Sequence, residues 1–155
     1  MSKQKKNPTI LLLCLVAGTL DAIAAILMSL KYPAASVFKF IASGWFGKAA
    51  LEGGTIMVIW GLIFHYLIAS SYCILFFFLY PRFKRLIKNK IAIAIIISLL
   101  IRLVMNFIVL PMSNIPKGTE PFSIISFVIS ILVLSVAVGA PIVIFADRYY
   151  KDKVD

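Results

Sequence analysis

Residues 91–111 read IAIAIIISLLIRLVMNFIVLP, an apolar run whose one ionisable side chain is Arg102. At ~1.5 Å per residue in a helix, such a run matches the ~30 Å of hydrocarbon in a bilayer. Three further blocks have the same character, at about residues 10–30, 55–80 and 122–146. The composition agrees: of 155 residues, 62% are hydrophobic and 14% charged, with a mean hydropathy of +1.02. These values lie far outside the range of soluble domains and exclude a soluble enzyme. Between the blocks no stretch is long enough to build a separate catalytic core. The expected fold is therefore all-α: a polytopic membrane protein, residues 1–155 forming one membrane domain with four transmembrane helices in a bundle.

The charges sort to two sides. Lys3, Lys5 and Lys6, then Arg82, Lys84, Arg85, Lys88 and Lys90, then Arg148, Lys151 and Lys153 fall at one set of span ends, eleven in all. Lys31, Lys39, Lys48 and Lys117 fall at the other. Basic residues flanking spans favour the cytoplasm, which places both termini inside. The net charge of +10 is thus topological. It anchors the protein on anionic lipid headgroups rather than on nucleic acid. The three N-terminal lysines could open a signal peptide cut near Ala22-Ile23-Ala24. The apolar stretch runs on to Leu30, longer than a signal peptide's core, so a full span is expected.

Cys14 and Cys73 lie within spans and are expected to be reduced thiols. With one His they make no metal-ligand spacing, and no metal or cofactor is expected. Prolines mark the boundaries: Tyr80-Pro81 is expected to close span two, Pro111 to close span three, and Thr119-Glu120-Pro121 to open span four. Pro141 lies inside span four, where a missing backbone donor predicts a kink.

The connection over residues 32–54 is unusual. Its part from Ser36 to Gly47 is too short to span a bilayer and too apolar to float in water. Val37, Ile41 and Trp45 recur at helical spacing, with Lys39, Ser43 and Phe46 on another face. The reading is a short amphipathic or re-entrant helix over about residues 35–48, either lying on the outer face and anchored by Trp45 or lining a cavity.

Ionisable groups at membrane depth are costly and should be paired or face protein or water. Asp21 lies about eleven residues into span one, His65 about ten into span two and Arg102 about nine from the end of span three. These depths agree to within about a helical turn, so the three could meet near the bilayer middle. Stripes of small and polar residues support an inward face on each helix: Gly18, Asp21 and Ala25; Gly61, His65, Ala69 and Cys73; Ser98, Arg102 and Asn106. Asp21, His65, Arg102 and Asn106 form the candidate polar site. It reads either as structural glue, with Asp21 neutralising Arg102, or as a titratable cavity for transport or ligand binding.

Several of these residues also carry a resemblance. Ile41-Ala42-Ser43-Gly44 with Gly47 and Gly53-Gly54, Gly61-Leu62 with His65, and Met105-Asn106 with Val109, Pro111 and Ser113 resemble the pattern of a family of small, uncharacterised four-span bacterial membrane proteins. Ala17 to Asp21 and Val138-Gly139 with Pro141-Ile142 extend the likeness over most of the chain. The resemblance implies the fold and a location in a bacterial inner (cytoplasmic) membrane, and no activity, substrate or cofactor. It includes Asp21, His65 and Asn106, whereas Arg102 stands where an aromatic such as Tyr would be expected. It also marks Ser43, Gly44 and Gly47 as a candidate outer-helix motif.

Two functions remain open. One is a non-enzymatic membrane component whose partner beyond the lipid bilayer is unknown, with Asp21, His65, Arg102 and Asn106 as a buried network. The other is a small proton-linked transporter, channel or ligand-binding protein, for which four spans would call for a homo-oligomer. No enzyme is expected, because neither a His-based triad nor a zinc-protease motif occurs.

Overall fold

The structure is a computed structural model that describes residues 6–116 and 123–151. The expectations for Lys3, Lys5, Lys117, Lys153 and Thr119-Glu120-Pro121 concern residues outside that set. Among the described residues the chain is helical without strands. Four helices are long and apolar enough to cross a membrane: α1 (Lys6–Met28), α4 (Thr55–Leu86), α5 (Lys90–Met112) and α6 (Ile124–Lys151). Between the first two lie α2 (Ala34–Phe46), which meets the expected short outer helix, and a single turn, α3 (Ala49–Glu52), which was not foreseen.

Helix α1 packs on α4 and α6, α5 packs mainly on α6, and α2 lies along α4. The core runs through Leu13, Phe77, Tyr80, Ile93, Ile97 and Ile142, all fully buried. Outward-facing positions are apolar as well: Leu11, Leu67, Ile91, Phe107, Ile125 and Val136 are exposed. In water this coat would drive aggregation; in lipid it matches its surroundings.

Lipid tails supply no hydrophobic drive between helices, so contact must come from close packing. Three glycines provide it. A Cβ on Gly61 would sit 1.9 Å from the Phe38 carbonyl oxygen, so α2 crosses α4 backbone to backbone. One on Gly139 would meet the Ala94 carbonyl oxygen at 2.5 Å, at the α5–α6 crossing. One on Gly18 would meet the Tyr66 ring at 2.9 Å, at the α1–α4 crossing.

The prolines depart from expectation in an orderly way. Helix α4 runs through Pro81 to Leu86 instead of closing there. Its last turns are held by the buried Phe77 and Tyr80 and by an ion pair from Lys84 to Asp147. Pro111 and Pro141 each follow a widened π turn, Met105–Val109 and Ser135–Gly139. In both, the residue before the proline donates its N–H five residues back, Leu110 to the Met105 oxygen and Ala140 to the Ser135 oxygen. A proline ring clashes with the carbonyl four residues earlier and leaves it without a donor. That carbonyl belongs to Phe107 for Pro111 and to Ala137 for Pro141, the middle of each widened turn. The π turn thus absorbs the defect within the helix. Helix α5 ends at Met112, close to the expected boundary. Asn89 caps its start by accepting from Ile91 and Ala92 N–H, and Ser123 caps α6 through Ser126 N–H.

Candidate functional site

The four polar residues singled out in the spans fall into two groups. His65 is 7% exposed, and its Nε2 lies 2.8 Å from the Gly18 carbonyl oxygen of α1. A helix-interior carbonyl has a second lone pair free, so this contact joins α1 to α4 without breaking either helix. Phe38 of α2 and Tyr66 present ring edges to the imidazole at centroid distances of 6.3 and 5.6 Å. Tyr66 in turn shares a 2.8 Å hydroxyl hydrogen bond with Thr19. Asp21 lies one turn from Gly18 and within electrostatic range of His65. The α4 stripe of Gly61, His65, Ala69 and Cys73 is buried throughout.

Arg102 and Asn106 lie elsewhere. They line a cleft of about 340 Å³ with Phe107, Ser123, Ser126 and Phe127, between α5 and the start of α6. The Arg102 guanidinium sits 5.9 Å from the Phe127 ring centroid, and its buried Nε has no hydrogen-bond partner. Among the described residues no ion pair joins Asp21 to Arg102. The expected neutralisation is thus corrected. Equal depth along two helices does not bring side chains together when the helices are not neighbours, and α5 packs on α6 rather than on α1.

The outer motif has a definite role in packing. The Ser43 hydroxyl is fully buried and donates to the Phe40 carbonyl at 2.7 Å. Gly44 faces Ser113 and Ile115, and a Cβ there would meet them only at ordinary contact distances of 3.8 to 4.0 Å. Gly47 ends α2 at φ 62, in the left-handed region that favours glycine. The last carbonyls of a helix lack intrahelical donors. Asn114 supplies two of them: its backbone N–H to the Gly44 oxygen at 2.9 Å and its side-chain amide to the Trp45 oxygen at 3.0 Å. Two distant sequence motifs therefore meet, 43–47 and 113–115. The buried face of α2 is Ala42 and Ser43; the Val37–Ile41–Trp45 stripe is not that face, and Trp45 is 72% exposed. Trp45, Phe46, Trp60 and Phe64 cluster with centroids 5.6 to 6.5 Å apart, fastening α2 to the start of α4.

The densest charge cluster was not singled out in the sequence. Asp147 is 5% exposed. It accepts from the Tyr80 hydroxyl at 2.9 Å, from Lys84, and from Lys90 at 2.6 Å, with Lys151 at 3.7 Å. Three helix ends are joined at one carboxylate, and Lys6 lies 4.4 Å above the Phe78 ring nearby. The basic span ends thus do gather at one face. The available signal was an acidic residue at the end of the last apolar span, ahead of Asp152 and Asp155 and four residues before Lys151. Cys14 and Cys73 are both buried and free, and the Cys14 thiol points to the Ser70 carbonyl at 3.9 Å. Among the described residues no group of His, Cys, Asp and Glu could hold a metal ion.

Comparison with protein-family models, curated proteins and solved structures finds no match.

Proposed function

We propose that the chain is a non-enzymatic component of a bacterial inner membrane, its basic face toward the cytoplasm, whose intramembrane polar residues hold helices together. The observation that carries this reading is the His65–Gly18 hydrogen bond, which spends the one imidazole on an interhelical link inside the bundle. Asn114 and Asp147 act in the same sense at the two ends, each tying separate elements together. Neither the Arg102 cleft nor the groove between α5 and α6 beside Asp147 is lined by Asp21 or His65. Proton-linked transport is the second reading, favoured by the proximity of Asp21 to His65.

Reconstituted vesicles with an imposed pH gradient separate the two. Structural glue predicts proton movement no faster than in protein-free vesicles, and a His65→Gln variant that keeps most of its stability because Gln can still donate one hydrogen bond. Gradient-driven flux in the wild type that His65→Gln abolishes would establish transport instead.

A further inference from the structure

A groove of about 630 Å³ lies between α5 and α6, open to the side of the bundle. Its origin is local. The floor is Ala94, Ser135 and Ala140, small residues beside the second π turn. The Ser135 hydroxyl turns inward to the Ile131 carbonyl at 2.7 Å, so the floor is apolar in practice. Ile95, Leu132, Val136 and Ile144 form the walls. At one end the groove stops being apolar: Lys90, Asp147 and Arg148 line its mouth. Lys84, Lys90 and Lys151 surround the Asp147 carboxylate. With Arg148, four cations therefore stand against one carboxylate among the described residues. Arg148 is exposed and, among the described residues, has no ion-pair partner.

We propose that this groove binds one anionic phospholipid of the leaflet at the basic face, its phosphate held by Arg148 and Lys90 and an acyl chain lying along the floor. The inference requires only that the helices span a membrane, and it stands apart from the proposed function. Dimensions support it. Leu132 to Arg148 covers ~24 Å at ~1.5 Å per residue, against roughly 20–22 Å for one leaflet including its headgroups. The volume lies in the range of built ligand sites, about 300–1,000 Å³. The charge at the mouth is complementary to a phosphate at headgroup depth. A second copy of the chain fits worse. A partner helix crossing the whole bilayer would leave the apolar groove and meet the polar cleft of Arg102, Asn106, Ser123 and Ser126 on the same helix pair.

The test is native mass spectrometry of the purified full chain, titrated with phosphatidylglycerol and with phosphatidylcholine of the same acyl chains. The wild type should retain one phosphatidylglycerol in preference to phosphatidylcholine. Arg148→Gln should weaken phosphatidylglycerol binding about five-fold, the share of one cation near a membrane surface, and leave phosphatidylcholine unchanged. Arg85→Gln, on the same basic face but outside the groove, should change neither. Ala140→Phe should weaken both lipids by filling the floor. Should that variant fail to fold, the Arg148→Gln comparison still decides, since its side chain lies outside the core. Inorganic phosphate at millimolar concentration should not displace the lipid. Equal retention of the two lipids, equal losses at Arg148 and Arg85, displacement by phosphate, or a dimer that Ala140→Phe splits would each overturn the proposal.

Discussion

Helices α1, α2 and α4 on one side, and α5 and α6 on the other, are built from the same stock of apolar and small residues yet pack differently. On the first side, glycine brings backbones into direct contact, Gly61 against Phe38 and Gly18 beneath Tyr66. His65 then bonds a carbonyl across the α1–α4 contact, and Asn114, just past the end of α5, ties the end of α2 to the other side. On the second side Gly139 makes one such contact, but each helix carries a π turn, and a cleft opens beside each turn. At the second π turn Gly139 closes one gap against Ala94, while Ser135 and Ala140 beside it leave another open. The proline two residues past each π turn therefore shapes the surface as well as the helix.

The glycine contacts give the sharpest way to break this comparison. Gly61→Ala places a methyl against a backbone oxygen that no rotamer change can move, and should cost about 3 kcal/mol, the upper end for overpacking. Thermal unfolding in detergent should report it, with α2 loosened from α4. Gly139→Ala should cost somewhat less, since one of its two close neighbours is the movable Ser98 hydroxyl. Gly54→Ala should be close to neutral, because nothing lies within 4 Å of the added Cβ. Equal effects at Gly61 and Gly54 would show that α2 does not cross α4 as described.

A smaller effect is expected where three helices meet at the basic end. Asp147→Asn removes the charge that Lys84 and Lys90 share. Those lysines are 41% and 53% exposed, so water screens much of the loss, and about 1–2 kcal/mol is expected rather than the full cost of breaking a buried pair. The stability difference between wild type and Asp147→Asn should shrink in high salt. A difference that salt leaves untouched would assign the loss to the Tyr80 hydrogen bond alone.

These two regions also mark how far the sequence could be read. The spans were legible because apolar runs of about twenty residues have one stable use in a bilayer. The short outer helix was legible from its length and composition. Its buried face was not: of the apolar stripe Val37, Ile41 and Trp45, the first two are half-buried and Trp45 is exposed, while the smallest residues, Ala42 and Ser43, pack. Pro81 read as a stop because a helix interior normally excludes proline, and only tertiary contacts around Phe77 and Lys84 override that. The polar site was half legible. Depth along each span placed Asp21 beside His65, but the same measure placed Arg102 with them, since depth carries no information about which helices are neighbours.

The smallest effect is therefore a non-interaction. In a double-mutant cycle of Asp21→Asn and Arg102→Leu, the separate losses of stability should add to within about 0.5 kcal/mol, as expected for residues without shared partners. A coupling of more than about 1 kcal/mol would bring α1 and α5 together at that depth and erase the division between the two sides.

All of this presumes that the four long helices cross a membrane with their basic ends on one side, which a single labelling measurement addresses. Cysteines placed by Lys48→Cys and Lys88→Cys, with Cys14 and Cys73 left buried, are exposed to a membrane-impermeant thiol reagent in intact cells. The four-span arrangement predicts labelling at position 48 from outside and at position 88 only after the membrane is opened. Labelling of both positions in intact cells would contradict it.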